Sequence, residues 1–121
     1  MDPLLLDGVK VLDLSRVLAG PFATQLLGDL GADIVKVEHA ERGDDTRHWG
    51  PPFVGGESAY FLSTNRNKRS IKADFEVADD VAQIKRLADE ADVVIENYRR
   101  GALTRFGLDY PTLKAANPRL V

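Results

Sequence analysis

Val9-Lys10-Val11-Leu12-Asp13-Leu14, the stretch 21–30 and Asp33-Ile34-Val35-Lys36-Val37-Glu38 decide the fold. The first hexapeptide alternates into a short apolar strand. Residues 21–30 have helical spacing, with Phe22, Leu26, Leu27 and Leu30 on or near one stripe. Gly31 is a stop signal for that helix. The third stretch reads as a second strand. Strand, helix and strand form a βαβ unit, whose crossover is expected to be right-handed and its strands parallel.

The pattern continues along the chain. Residues 39–56 are rich in Gly, Pro, Asp and Arg and read as a long loop. Residues 57–64 suit a short helix, and Ser70-Ile71-Lys72-Ala73-Asp74 a third strand. Residues 77–91 give the clearest helix, with Val81, Ile84, Leu87 and Ala88 on one face. Asp92-Val93-Val94-Ile95-Glu96 is a fourth strand, apolar enough to be central. A helical turn at 103–107 and a short helix at 110–116 follow. Arg119-Leu120-Val121 resembles the first residues of a fifth strand. The fold class is α/β, a parallel sheet with flanking helices. Such sheets bind ligands at the carboxyl ends of their strands. The notable residues gather there, in 15–20, at Glu38-His39 and in 97–105.

Composition bounds the function. The 121 residues allow one domain with a modest core. A net charge of −3 argues against nucleic acid as a partner, so any anion site must be built locally. The chain has no cysteine, which excludes disulfides, thiolate catalysis and zinc–thiolate sites. No apolar run approaches the ~20 residues of a membrane span. The start, Met1-Asp2-Pro3-Leu4-Leu5-Leu6, lacks the basic and apolar regions of a signal peptide. The expectation is a cytoplasmic protein with no membrane partner.

Several motifs suggest an anionic, nucleotide-like ligand. Ser15-Arg16-Val17-Leu18-Ala19-Gly20-Pro21 joins the first strand to the first helix, and free N–H groups of that turn could hold a phosphate or a carbonyl oxygen. It could equally be an ordinary connection, since neither the dinucleotide glycine fingerprint nor a P-loop is present. Glu38 could bond ribose hydroxyls or be a solvated strand end. His39 could stack on a base, meet a phosphate or lie on the surface. Arg66, Lys68 and Arg69 put three cations within four positions, suited to a phosphate or to a solvated basic turn. Asn97-Tyr98 can bond and stack a heterocycle, with Arg99, Arg100 and Arg105 within reach. Asp44, Asp45 and His48 fit no standard metal-ligand spacing, so no metal is expected. Trp49 and Phe53 suit a loop that covers a cleft or a subunit interface. No residue is marked as a nucleophile or a base.

Ordered stretches across the chain carry a family resemblance. They are Leu6-Asp7-Gly8-Val9-Lys10-Val11-Leu12-Asp13-Leu14-Ser15-Arg16-Val17-Leu18-Ala19-Gly20-Pro21, Leu30-Gly31-Ala32-Asp33-Ile34-Val35-Lys36-Val37-Glu38, Gly43-Asp44-Asp45-Thr46-Arg47, Asn65-Arg66-Asn67-Lys68-Arg69-Ser70-Ile71 and Ala91-Asp92-Val93-Val94-Ile95-Glu96-Asn97-Tyr98. In these the chain resembles the N-terminal part of the family III CoA-transferases, the carnitine and bile-acid CoA-transferase family.

The resemblance implies a Rossmann-like large domain, of which residues 1–121 would be the incomplete, CoA-binding N-terminal part. It implies an enzyme that moves CoA between carboxylic acids through an aspartyl-CoA intermediate, two subunits interlocking like chain links. Coenzyme A or acyl-CoA is then a substrate, a carboxylate the second substrate, and no tightly bound cofactor is expected. By the same resemblance Val17, Leu18, Ala19, His39, Ala73, Asn97, Tyr98 and Arg105 would contact CoA. His39 stands where relatives often carry Arg, and Glu76 where they can carry Lys. The family's nucleophilic aspartate falls beyond Val121, so no catalytic residue is expected here and the chain alone is expected to be inactive. A non-catalytic remnant and the racemase branch of the superfamily are the alternatives. Glu96-Asn97-Tyr98 and the 46–53 loop lean toward transferases, and the loop toward those acting on dicarboxylates such as succinate or glutarate.

Overall fold

The computed structural model describes residues 2–121. Its elements are β1 (Lys10–Asp13), α1 (Ala19–Asp29), β2 (Asp33–His39), β3 (Phe53–Val54), β4 (Glu57–Ser58), α2 (Ala59–Thr64), β5 (Lys68–Ala73), α3 (Ala78–Glu90), β6 (Val93–Ile95) and α4 (Tyr110–Ala116), with 3-10 turns at Asp45–His48 and Thr104–Phe106. The main sheet has the order β5-β2-β1-β6, and all three of its pairings are parallel. The expected parallel α/β sheet with flanking helices is what the chain forms.

One strand is placed differently from expectation. The fourth strand, apolar enough in sequence to be central, is β6; β1 and β2 hold the middle of the four-stranded order and β6 stands at its end. Its far side carries one pair of main-chain bonds. Val121 N–H donates to the Asp92 carbonyl at 3.1 Å, and Val94 N–H donates to the Val121 carbonyl at 2.9 Å. That is the bond pattern of a parallel pair, so the last residues lie where a fifth strand would.

The stretch 39–56 is not one long loop. Asp44 caps the first 3-10 turn, accepting from Thr46 N–H at 3.0 Å. Gly55 and Gly56, with φ of 58° and 84°, then turn β3 back on β4. Two successive positive-φ residues are what a tight two-residue hairpin requires, and glycine supplies them without a Cβ clash. Trp49 packs edge-on against Tyr60, with ring centroids 5.3 Å apart.

The two faces of the sheet are unequal. One side holds the main core, in which Leu12, Leu14, Val37 and Ala73 meet Ile84 and Ala88 of α3, Leu113 of α4, and Leu103, Leu108 and Leu120. Full burial of a residue such as Ile84 or Leu108 stabilises by roughly 1.5–3 kcal/mol. The α1 side has a smaller cluster around Val11, Ala32 and Ile34.

Here α1 departs from the amphipathic reading. Phe22, Leu26 and Leu30 are exposed, whereas Gly20, Pro21, Thr24 and Gln25 are buried. The reason lies beneath the helix. Asp13 of β1 is wholly buried and needs polar partners: Thr24 Oγ1 donates to it at 2.5 Å, Lys68 Nζ at 3.2 Å and Ser15 N–H at 2.8 Å. Gln25 donates to the Ser63 carbonyl at 3.0 Å and accepts from Arg66 N–H at 3.0 Å. Satisfying these buried groups outweighs turning the apolar stripe inward.

Candidate functional site

A cavity of about 480 Å³ opens beyond the carboxyl ends of the main-sheet strands. Ser15 and Arg16 follow β1, Glu38 and His39 end β2, Ala73 ends β5 with Asp74 to Glu76 after it, and Tyr98 to Phe106 follow β6. Parallel strands that all point one way place every strand-to-helix connection at this edge, which is why residues far apart in sequence meet there.

The β1–α1 connection is pinned from three sides. The Asn97 carboxamide accepts from Arg16 N–H at 3.0 Å and donates to the Arg16 carbonyl at 2.7 Å. Both Asp44 carboxylate oxygens accept from Val17 N–H at 3.3 Å, and Lys36 Nζ donates to the Ser15 carbonyl at 3.4 Å. Val17 is thereby held at φ 74°, a left-handed conformation that costs a β-branched residue. Gly20 packs so closely on Ser15 that a Cβ there would collide with the serine side chain.

Buried charges brace the floor. Lys36 and Asp44 pair at 2.7 Å, both completely enclosed. Burial acts against ionisation of Asp44, but Lys36 and Thr46 outweigh it and hold its pKa below the ordinary value. Glu38 is likewise opposed by burial. Paired bonds from Arg47 at 2.7 and 2.8 Å, the Ser70 hydroxyl and Asp44 N–H nevertheless bring it down to about 2. Glu38 is therefore neither a solvated strand end nor open to a ribose.

The basic cluster is dispersed. Arg66 pairs with Asp29 at 2.6 Å and Arg69 with Asp33 at 2.7 Å, both away from the cavity. Lys68 turns inward to Asp13, the Pro21 carbonyl and Asn65, and burial depresses its pKa to about 8 despite the Asp13 charge. Alternation along β5 separates Lys68 from Arg69, and Arg66 lies before the strand.

Of the residues expected to meet CoA, His39, Ala73, Tyr98 and Arg105 line the cavity. Val17, Leu18, Ala19 and Asn97 do not: they belong to the connection or hold it. His39 Nδ1 accepts from Glu41 N–H at 3.2 Å. Arg105 spans the cavity rim to Glu76, 2.6 Å away, and both side chains are exposed. Phe75 packs on Tyr98 and Phe106, with centroids 5.9 and 5.4 Å apart, forming an apolar wall. The Arg16 guanidinium lies over the Tyr98 ring at 4.1 Å. Burial pushes the Tyr98 phenol above its ordinary pKa, with Arg16 pulling the other way. Phe75, Phe106 and Arg16 have no distinguishing motif in the sequence, although Arg16 sits in the connection already marked.

Asp44, Asp45 and His48 do not converge. Asp44 faces Lys36, and His48 Nε2 lies 2.9 Å from the Arg42 carbonyl. Among the described residues no group of three or more His, Asp or Glu is placed to hold a metal, and no helix is long and apolar enough to cross a membrane.

Comparison with known proteins assigns this architecture. The profile of CoA-transferase family III matches residues 6–121. Succinate--glutarate CoA-transferase of Agrobacterium fabrum is 53% identical over 96% of this chain and 30% of that protein. Human succinyl-CoA:glutarate CoA-transferase is 55% identical over 96% of this chain and 26% of that protein. A solved CaiB/BaiF family protein from Brucella suis superposes with a TM-score of 0.94 at 54% identity, covering 99% of this chain and 32% of that one. The chain thus spans about a third or less of the length of these relatives. A match over nearly every residue, in sequence and in backbone, leaves one assignment: the chain belongs to CoA-transferase family III.

Proposed function

We propose that the chain is the coenzyme A-binding, N-terminal part of the large domain of an acyl-CoA:carboxylate CoA-transferase, with dicarboxylates of the succinate and glutarate kind as acids. The observation that carries this reading is the family match over 6–121, to relatives named for succinate and glutarate. The cavity at the strand ends supports it, because an aromatic wall beside cationic groups suits an adenine nucleotide. In this reading Tyr98 and Ala73 meet the base, and His39 and Arg105 the phosphates. Val17, Leu18 and Ala19 border the pantetheine path, and Asn97 holds that border in place.

The nucleophilic aspartate of the family mechanism lies outside these residues, so transfer requires a longer chain. An interlocked homodimer is part of the proposal, and the exposed apolar stripe of α1 supports it. Titration of the purified chain with CoA tests the binding role, and saturable binding that weakens for pantetheine is expected. A longer chain that includes the aspartate is expected to convert succinyl-CoA and glutarate into glutaryl-CoA and succinate. No saturable binding by the chain overturns the coenzyme A-binding reading, and no transfer by the longer chain overturns the transferase reading.

A further inference from the structure

The cations of the cavity are not equivalent. Lys36 is neutralised by buried Asp44, Arg105 by Glu76, and exposed Arg42 stands 4.0 Å from Asp45. Arg16 alone of the cavity's lysines and arginines has no carboxylate within 4.0 Å among the described residues. Its Nε is also the one buried side-chain polar atom, among the described residues, with no hydrogen-bond partner. A buried donor without an acceptor carries a desolvation penalty, and no other side-chain nitrogen of Arg16 hydrogen-bonds to a described residue.

The side chain is also held in place. The Asn97 carboxamide fixes both main-chain groups of Arg16, and the Tyr98 ring supports the guanidinium plane at 4.1 Å. A planar fork held flat, with an unpaired edge, matches an anion that presents two oxygens.

We propose that Arg16 is the oxyanion ligand of this cavity, taking two oxygens of the bound acyl-CoA through its guanidinium. This rests on the coenzyme A-binding reading above. Two parts of the ligand have that chemistry: the phosphates of CoA, and the free carboxylate of a dicarboxylic acyl group.

The test is calorimetric titration of the wild-type chain, Arg16→Gln and Arg16→Lys. The probes are CoA, dephospho-CoA, pantetheine, succinyl-CoA and butyryl-CoA. Arg16→Gln is expected to weaken an anionic probe by about 10- to 100-fold, the size of a lost charged hydrogen bond. Arg16→Lys, which keeps the charge without the fork, is expected to fall between, and it decides the matter should the glutamine variant not fold. A loss seen with CoA and relieved with dephospho-CoA or pantetheine assigns a phosphate. A loss seen with succinyl-CoA and not with butyryl-CoA assigns the carboxylate. Unchanged affinity for every probe overturns the proposal. So does an equal loss for uncharged pantetheine, which would mean that Arg16 only props Tyr98. Failure of the wild type to bind any probe instead overturns the coenzyme A reading, and this inference with it.

Discussion

Asn97 holds Arg16 by both its main-chain groups, with bonds of 3.0 and 2.7 Å across a separation of 81 residues. The carboxamide is the hydrogen-bonding equivalent of a peptide group and ties the β1–α1 connection to the chain leaving β6. Asn97→Ala should therefore destabilise the fold by about 1–2 kcal/mol, two net hydrogen bonds in a partly exposed setting. Affinity for CoA should fall as well, although Asn97 does not line the cavity. A calorimetric melt and a CoA titration of the same variant check this. Lost affinity with an unchanged melting temperature would mean direct contact with the ligand.

Under the proposed function Glu76 competes with coenzyme A for Arg105. Their 2.6 Å pair bridges the cavity rim, and both side chains are exposed, so the pair is worth about 0–1 kcal/mol. Under the proposed function Glu76→Gln should tighten CoA binding by up to about fivefold, most at low salt. Weaker binding would show that Glu76 contributes to the ligand rather than opposing it.

Acid should weaken the fold through Glu38. Its pKa falls from 4.5 to about 2 on folding, so the unfolded chain takes up the proton first as pH drops. The stabilisation is complete above pH ~4.5 and is lost as pH falls toward ~2. The shift corresponds to about 3 kcal/mol. Urea melts between pH 6 and 2.5 should show a steeper acid limb for the wild type than for Glu38→Gln. Parallel curves would place the acid sensitivity elsewhere.

Much of this architecture is legible in the sequence, because apolar periodicity reports a core. The β1-α1-β2 unit, α3 and α4 follow from it, and cavity-lining segments fall at the strand ends, where parallel topology puts them. What periodicity cannot report is burial of polar groups. Asp13 draws Thr24 and Lys68 inward, and that rotates α1 and dissolves the apparent phosphate cluster. Glu38 reads as a ribose ligand or a solvated strand end until Arg47 is seen clasping it. The hairpin at Gly55-Gly56 does carry a local signal, a glycine pair between short β-prone segments.

The orientation of α1 gives the last prediction. Leu18, Phe22, Leu26 and Leu30 recur every four residues and are 52%, 48%, 45% and 43% exposed. A continuous apolar stripe of this kind drives association when nothing covers it. The 121-residue chain should self-associate in sedimentation velocity, increasingly with concentration. Phe22→Lys with Leu26→Lys should shift it toward monomer and change stability by no more than about 0.5 kcal/mol per site, as for other exposed positions. A collapse of the melting temperature in that double variant would mean that the stripe is core after all. The helix would then face the sheet as its periodicity alone predicts, and Asp13 would have to find its partners elsewhere.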